Sequence, residues 1–255
     1  MKSTYAQCLA FTLRFEGGKV DDKRDPGGRT NQGVTQSTFS TWRAARGEMQ
    51  ARDVFTMTAA ERDAIYAGRY WTPIKGDTLH EGVDLAVFDF GVNSGPARAL
   101  KAYGKRTSND PADTVKAVCA ARLSFLHALG TFKTFGRGWT ARVAACEALG
   151  VKMAEHARIG VPVDAPAAPQ VASTLRTEAT RASGKASIRR QGATGAGAGA
   201  VIGTASAPPS GGAHVPWELI AAPVAILVAI AGFLAWRASQ HTARAAAYLA
   251  VAKGA

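Results

Sequence analysis

The chain has 255 residues, 47% hydrophobic and 20% charged, which is enough for one well-buried domain plus further segments and excludes a wholly disordered polymer. A net charge of +12 and a pI near 10 favour a polyanionic partner (nucleic acid, anionic lipid or acidic cell wall) without choosing among them. The three cysteines, Cys8, Cys119 and Cys146, are odd in number and fit no disulfide or zinc pattern, so they are expected to be buried, reduced, apolar side chains.

The N-terminus lacks a signal-peptide layout, because Gln7, Thr12 and Arg14 interrupt its apolar residues. Tyr5, Leu9 and Leu13, with neighbouring Cys8, form an apolar stripe at helical spacing; Gly17 and Gly18 then stop that helix. Asp25-Pro26-Gly27-Gly28 is a strong turn signal, with Lys19-Val20 and Gly33-Val34-Thr35 as short flanking strands. Thr58 and Glu61 make a capping box that opens a helix closed by Gly68. Leu79, Val83, Ala86, Val87 and Phe90 share one face of a helix over 79–92. Asp110-Pro111 starts a helix that runs to Gly130, and a last one covers roughly 138–157.

Residues 160–216 change character. They are rich in Ala, Gly, Pro, Ser and Thr, have no large aromatic residue before Trp217, and read as a flexible linker carrying a basic cluster of Arg176, Arg181, Lys185, Arg189 and Arg190. Residues 219–236 are uncharged and apolar, flanked by Trp217 and Trp236, which predicts a transmembrane helix. Arg237, Arg244 and Lys253 follow it, so the positive-inside rule puts the C-terminus in the cytoplasm and the N-terminal domain outside. The alternative is a tight helical hairpin with the small-residue run 192–207, disfavoured because Gly and Ala contribute little transfer energy.

The richest chemistry lies between Glu16 and Thr35. Glu16 falls at the end of the first helix, three residues after Leu13, so it is expected to face the core near the negative end of the helix dipole. Burial and dipole both disfavour its ionised form and raise its pKa, which suits a general acid. Asp25 sits in a polar, Gly-rich turn and is expected to stay ionised; two carboxyls in opposed environments are the usual pair for glycoside hydrolysis. Taken alone, Glu before Gly-Gly also fits a solvated helix end. The five histidines, His80, His127, His156, His214 and His241, are scattered, and neither a metal site nor a Ser-His-Asp grouping is expected.

The run Glu16-Gly17-Gly18, Asp25-Pro26-Gly27-Gly28, Thr30-Asn31, Gly33 and Thr35 resembles the signature of glycoside hydrolase family 108, bacterial and phage N-acetylmuramidases. It is also similar to a broader phage-lysozyme triad, in which Thr30 comes one residue early and Asn31 holds the expected place. A second block, Asp84 to Pro96 with Tyr70-Trp71 before it, resembles the peptidoglycan-associated region of the same family. The two blocks cover roughly residues 10–156. Asn93 and Ser94 at a helix end offer donors and acceptors for acetamido and hydroxyl groups, and Tyr70 and Trp71 offer flat faces for sugar rings. Asp89, one position off the apolar stripe, either orients a cleft residue or bonds a helix N-terminus.

The resemblance implies a mainly α, lysozyme-like two-lobed fold with a small β-hairpin, plus the C-terminal transmembrane helix. The expected segments are a catalytic lobe over 1–75, a helical peptidoglycan-associated lobe over 76–158, the linker over 159–216, the membrane helix over 217–238 and a tail over 239–255. The implied activity is a muramidase or endolysin. It would cleave the β-1,4 bond between N-acetylmuramic acid and N-acetylglucosamine, with Glu16, Asp25 and Thr30 catalytic and Asn31, Tyr70, Trp71, Asp89, Asn93 and Ser94 on the substrate. Alternatives are a lytic transglycosylase and an inactive membrane-anchored wall-binding protein. No metal, cofactor or nucleic acid is expected. The partners are peptidoglycan and, through 219–236, the inner membrane, with a monomeric enzyme facing the periplasm or cell wall.

Overall fold

Helix α1, Tyr5–Leu13, buries Cys8 and Leu9 of the expected stripe together with Phe11 and Thr12, while Tyr5 and Leu13 are half-buried. It opens a computed structural model that describes residues 4–21, 28–205 and 217–254 and separates into two units, residues 1–166 and 167–255. After α1 come three short antiparallel strands in the order β1 (Lys19–Val20), β2 (Thr30–Asn31), β3 (Val34–Thr35). Lys19 pairs with Asn31, and Asn31 with Val34. The expected hairpin of Lys19-Val20 with Val34-Thr35 therefore has a central strand between its arms. The reason is local: Gln32 and Gly33 both take positive φ, 47° and 76°, the two-residue turn that joins twisted strands tightly. The Asp25-Pro26-Gly27 turn lies outside the described residues.

Thr35 caps helix α2, Gln36–Ala44, by accepting from Thr38 N–H. Helix α3, Ala59–Tyr66, opens with the capping box of Thr58 and Glu61. Gly68 does not end it. The chain widens into a π turn over Ala67–Trp71, which carries Trp71 into the core against Tyr5 and Phe88.

Helix α4, Val83–Ser94, is buried from Val83 through Gly91 and forms the centre of the first unit rather than an amphipathic edge. It packs on α1, α5 (Pro96–Gly104), α6 (Pro111–His127) and α7 (Phe132–Arg158). At its start the backbone of Gly82, φ 85°, lies against the Gly150 carbonyl on α7, where any Cβ would collide. Helix α7 starts earlier than the expected residue 138, because its first turns are held by rings: Phe132 stacks near Trp139 and covers Gly136.

In the second unit, residues 169–205 form helix α8, Pro169–Ala205, which corrects the reading of 159–216 as flexible linker. Composition missed it because alanine is the best helix former, and its small side chain lets another helix approach closely. The partner is α9, Trp217–Lys253. Val171, Leu175, Ala179, Ala182 and Ala186 are buried on α8, and Ala238, His241, Ala245, Tyr248 and Ala252 on α9, at the three- and four-residue spacing of a coiled coil. The segment Val224–Lys253 is long and apolar enough to cross a bilayer. The expected short tail after 238 is a continuation of this same helix.

Candidate active site

Glu16 follows directly on the last turn of α1, where Phe15 N–H still bonds the Thr12 carbonyl. Its side chain is largely covered but keeps 20% of its surface, and it has a cationic partner that the sequence reading did not name. Arg142, reaching from α7, donates from Nη1 and Nη2 to Glu16 Oε1 at 3.1 Å each. The same guanidinium grips Asp89 on α4, with Nη2 2.7 Å from Oδ1 and Nε 3.1 Å from Oδ2. Arg122 from α6 donates to Asp89 Oδ2, and Thr12 Oγ1 donates to Oδ1 at 2.9 Å.

Asp89 is fully buried. Burial alone would push its carboxyl up. The guanidiniums of Arg122 and Arg142 outweigh that and hold it at about 2. For Arg142, burial disfavours the cation, but Asp89 and then Glu16 raise it further above its ordinary value. The result is a chain Glu16–Arg142–Asp89–Arg122 in which α1, α4, α6 and α7 are tied at one point. Buried charges persist only when paired and bonded in this way.

The β2–β3 turn closes on the other side of Glu16. Tyr66 Oη donates to the Gln32 carbonyl at 2.9 Å. A Cβ on Gly33 would collide with that hydroxyl and come within 3.0 Å of Glu16 Oε2. Thus Oε1 is taken by Arg142 and Oε2 faces the turn. Burial first, and then the negative charge of Glu16, raise the Tyr66 phenol, so it stays a neutral donor.

The other sequence-nominated residues divide into two groups. Thr30 is half-buried on β2 and donates to the Gly28 carbonyl at 3.0 Å. Tyr70 is half-buried, its ring 5.6 Å from that of Tyr66. Asn93 and Ser94 are half-buried at the end of α4, with Ser94 Oγ donating to Asn93 Oδ1 at 3.0 Å. Asn93 lies one turn beyond Asp89, on the same side of the helix.

Three residues expected on the substrate instead face inward. Asn31 is buried and donates to the Val54 carbonyl at 3.1 Å, fixing β2 to the following loop. Trp71 is 5% exposed, its Nε1 spent on Asp77. Asp89 anchors the guanidiniums. The physical reason is common to all three: each group's polar atoms already have a partner inside the unit. Asp25 lies outside the described residues.

Sequence reasoning missed Arg142, Arg122 and Tyr66. The one legible sign was Arg122, placed among Val115, Val118, Cys119, Leu123 and Leu126 on the buried side of α6, where an unpaired cation cannot stay. It also missed an aromatic stripe. Phe135, Trp139 and Arg142 follow one another at four and then three residues on α7, hence on one face. Phe135 is 54% exposed and its ring is 5.7 Å from that of Trp139. Phe15, also exposed, has the Arg142 guanidinium 5.2 Å from its ring centre. A cavity of about 600 Å³ near Thr4, Gln7, His80 and Asp164 belongs to the far end of α1. That end lies roughly 15 Å along the axis from Glu16, so the cavity is no part of this cluster.

The family model of glycosyl hydrolase 108 matches residues 9–95, which contain every sequence-nominated residue but neither Arg122 nor Arg142. The solved structure of SagA from Brucella abortus is similar to this chain with a TM-score of 0.51 at 35% sequence identity. The match covers 60% of this chain and 97% of that one. A comparison with curated proteins finds no match.

Proposed function

As the chain belongs to the glycosyl hydrolase 108 family, we propose that it is a muramidase cleaving the β-1,4 bond between N-acetylmuramic acid and N-acetylglucosamine in peptidoglycan, with Glu16 as general acid. The observation that carries this reading is the carboxyl of Glu16, open to solvent over about one-fifth of its side chain at a helix end and held by Arg142 on one oxygen and the Gly33 turn on the other side. A sugar strand lying over that opening excludes water from the carboxyl. Glu16 then passes its proton to the glycosidic oxygen as the bond to the muramic acid C1 breaks. Asp25 stabilises the positive charge on that sugar or positions the attacking water.

The remaining residues take graded roles. Thr30, Tyr70, Asn93 and Ser94 touch the strand. Asn31, Trp71 and Asp89 hold those contacts from beneath. Phe135 and Trp139 extend the surface with flat, apolar faces suited to sugar rings or the stem peptides they carry. The basic charge of the chain keeps it on anionic wall polymers.

The test is Glu16→Gln, which keeps shape and removes the proton. Turbidity loss of purified peptidoglycan should fall by at least about 100-fold with the fold unchanged. Wall clearing at the wild-type rate would refute the assignment. Product masses then separate hydrolysis from the anhydro sugar that a lytic transglycosylase leaves.

A further inference from the structure

The second unit distributes charge in a way that a single membrane span does not explain. From Gln191 to Trp236 the only formal charge is Glu218. On one flank stand Arg176, Arg181, Lys185, Arg189 and Arg190, and on the other Arg237, Arg244 and Lys253, with Glu178 the lone acid. A single span over 219–236 leaves one of these two basic clusters on the outer face whichever way it is oriented, against the positive-inside rule.

Helices α8 and α9 bring the two clusters together. They run antiparallel: Arg190 Nη2 donates to Thr242 Oγ1 at 2.9 Å, and a Cβ on Gly192 would lie 3.1 Å from Leu234 Cδ1. Basic half therefore lies beside basic half, and uncharged half beside uncharged half. On the uncharged half of α9, Ile226 (60%), Val228 (58%), Ile230 (43%) and Phe233 (52%) are exposed, an apolar strip that water penalises and lipid does not. On α8, Gly195, Gly199 and Gly203 recur every four residues, the small-xxx-small spacing that lets membrane helices approach closely. Fifteen residues of α8 beyond Arg190 span about 22 Å and twenty of α9 before Arg237 about 30 Å, against a hydrocarbon core of about 30 Å. The weak transfer energy of the Gly/Ala half is no obstacle when α9 carries it in as a packed partner.

We propose that residues 192–205 of α8 and 217–236 of α9 enter the bilayer as a packed antiparallel helix pair, with the basic ends of α8 and α9 together in the anionic headgroups of the cytoplasmic leaflet. The segments before Gln191 and after Trp236 then lie on the same, cytoplasmic side, replacing the single-pass topology. The enzyme is thereby stored across the membrane from the wall, and its access depends on a breach of that membrane.

Single-cysteine variants of the full chain test this in bacterial cells. Arg181→Cys and Lys253→Cys both alter exposed side chains, and the three native cysteines are buried, so wild type gives the background. A membrane-impermeant maleimide should label neither variant on spheroplasts and both in inverted inner-membrane vesicles. Labelling of Arg181→Cys but not Lys253→Cys from outside restores the single span and overturns the helix pair. Recovery of the chain in the soluble fraction overturns it as well. Clearing of purified peptidoglycan is read separately, so either failure leaves the hydrolase reading untouched.

Discussion

Replacing Arg142 by Met keeps an unbranched, flexible stem, though a shorter one, and removes the charge at the centre of the Glu16–Arg142–Asp89–Arg122 chain. Asp89 is fully buried, so the change leaves its carboxylate with Arg122 and Thr12 alone. Losing one partner of a buried pair costs about 3–5 kcal/mol, and the surviving Arg122 puts this case near the lower figure, about 3 kcal/mol. In a domain of this size that lowers Tm by roughly 6–12 °C, measured by thermal circular dichroism on residues 1–166. The pH dependence moves as well. A carboxyl held at about 2 contributes stability that is present above its unfolded value near 3.8 and lost as pH falls through 2. With one cation gone, the folded-state value moves up toward the unfolded one, so the variant loses less further stability on acidification, over a narrower pH window, than wild type. Glu16 also loses both bonds to Oε1, so clearing of peptidoglycan should drop about 10- to 100-fold. Arg142→Lys, which keeps charge but not the fork, should fall between. Wild-type Tm and wild-type clearing in Arg142→Met together would refute the idea that this guanidinium ties the acid to the core.

Asp84 titrates in the opposite sense. Burial pushes its carboxyl up to about 6 despite bonds from Thr4, Leu85 and Gly82, so its favourable contribution is complete below 3.8 and lost as pH rises through 6. Wild type should lose up to about 3 kcal/mol between pH 4 and 7 relative to Asp84→Asn, measured by urea unfolding; parallel curves would place the pH dependence elsewhere. Gly33→Ala forces φ of 76° on an L side chain and crowds Tyr66 and Glu16. It should lose about 1–2 kcal/mol and at least about tenfold in clearing, and a fully active variant would mean the turn does not position the acid. Trp139→Ala combined with Phe135→Ala should raise the peptidoglycan concentration needed for half-maximal clearing several-fold with little change in the maximal rate. A fall in rate alone would count against a binding role.

Much of the local structure was legible because its causes lie within a few residues. The stripe of Tyr5, Leu9 and Leu13, the capping box of Thr58 and Glu61 and the Asp110-Pro111 start each appear as helices. The failures share a different cause. Composition marked 160–216 as unable to order itself, yet Ala-rich α8 orders against α9. Trp71 and Asn31 read as surface groups because a residue type does not reveal which way its side chain turns, and the π turn after Tyr66 and the central position of β2 turned them inward.

The amino-acid pattern by itself determined the mainly helical architecture, the Glu16 loop and its family resemblance, and the apolar C-terminal helix, since periodicity, caps and turn residues act through neighbours along the chain. Only the folded molecule decided what surrounds the acid. Arg142 is 126 residues from Glu16 and 53 from Asp89, and Arg122 is 33 from Asp89. Nothing local links such residues. They meet because a buried carboxylate is tolerable only with cations brought to it, and the packing of four helices is what brings them.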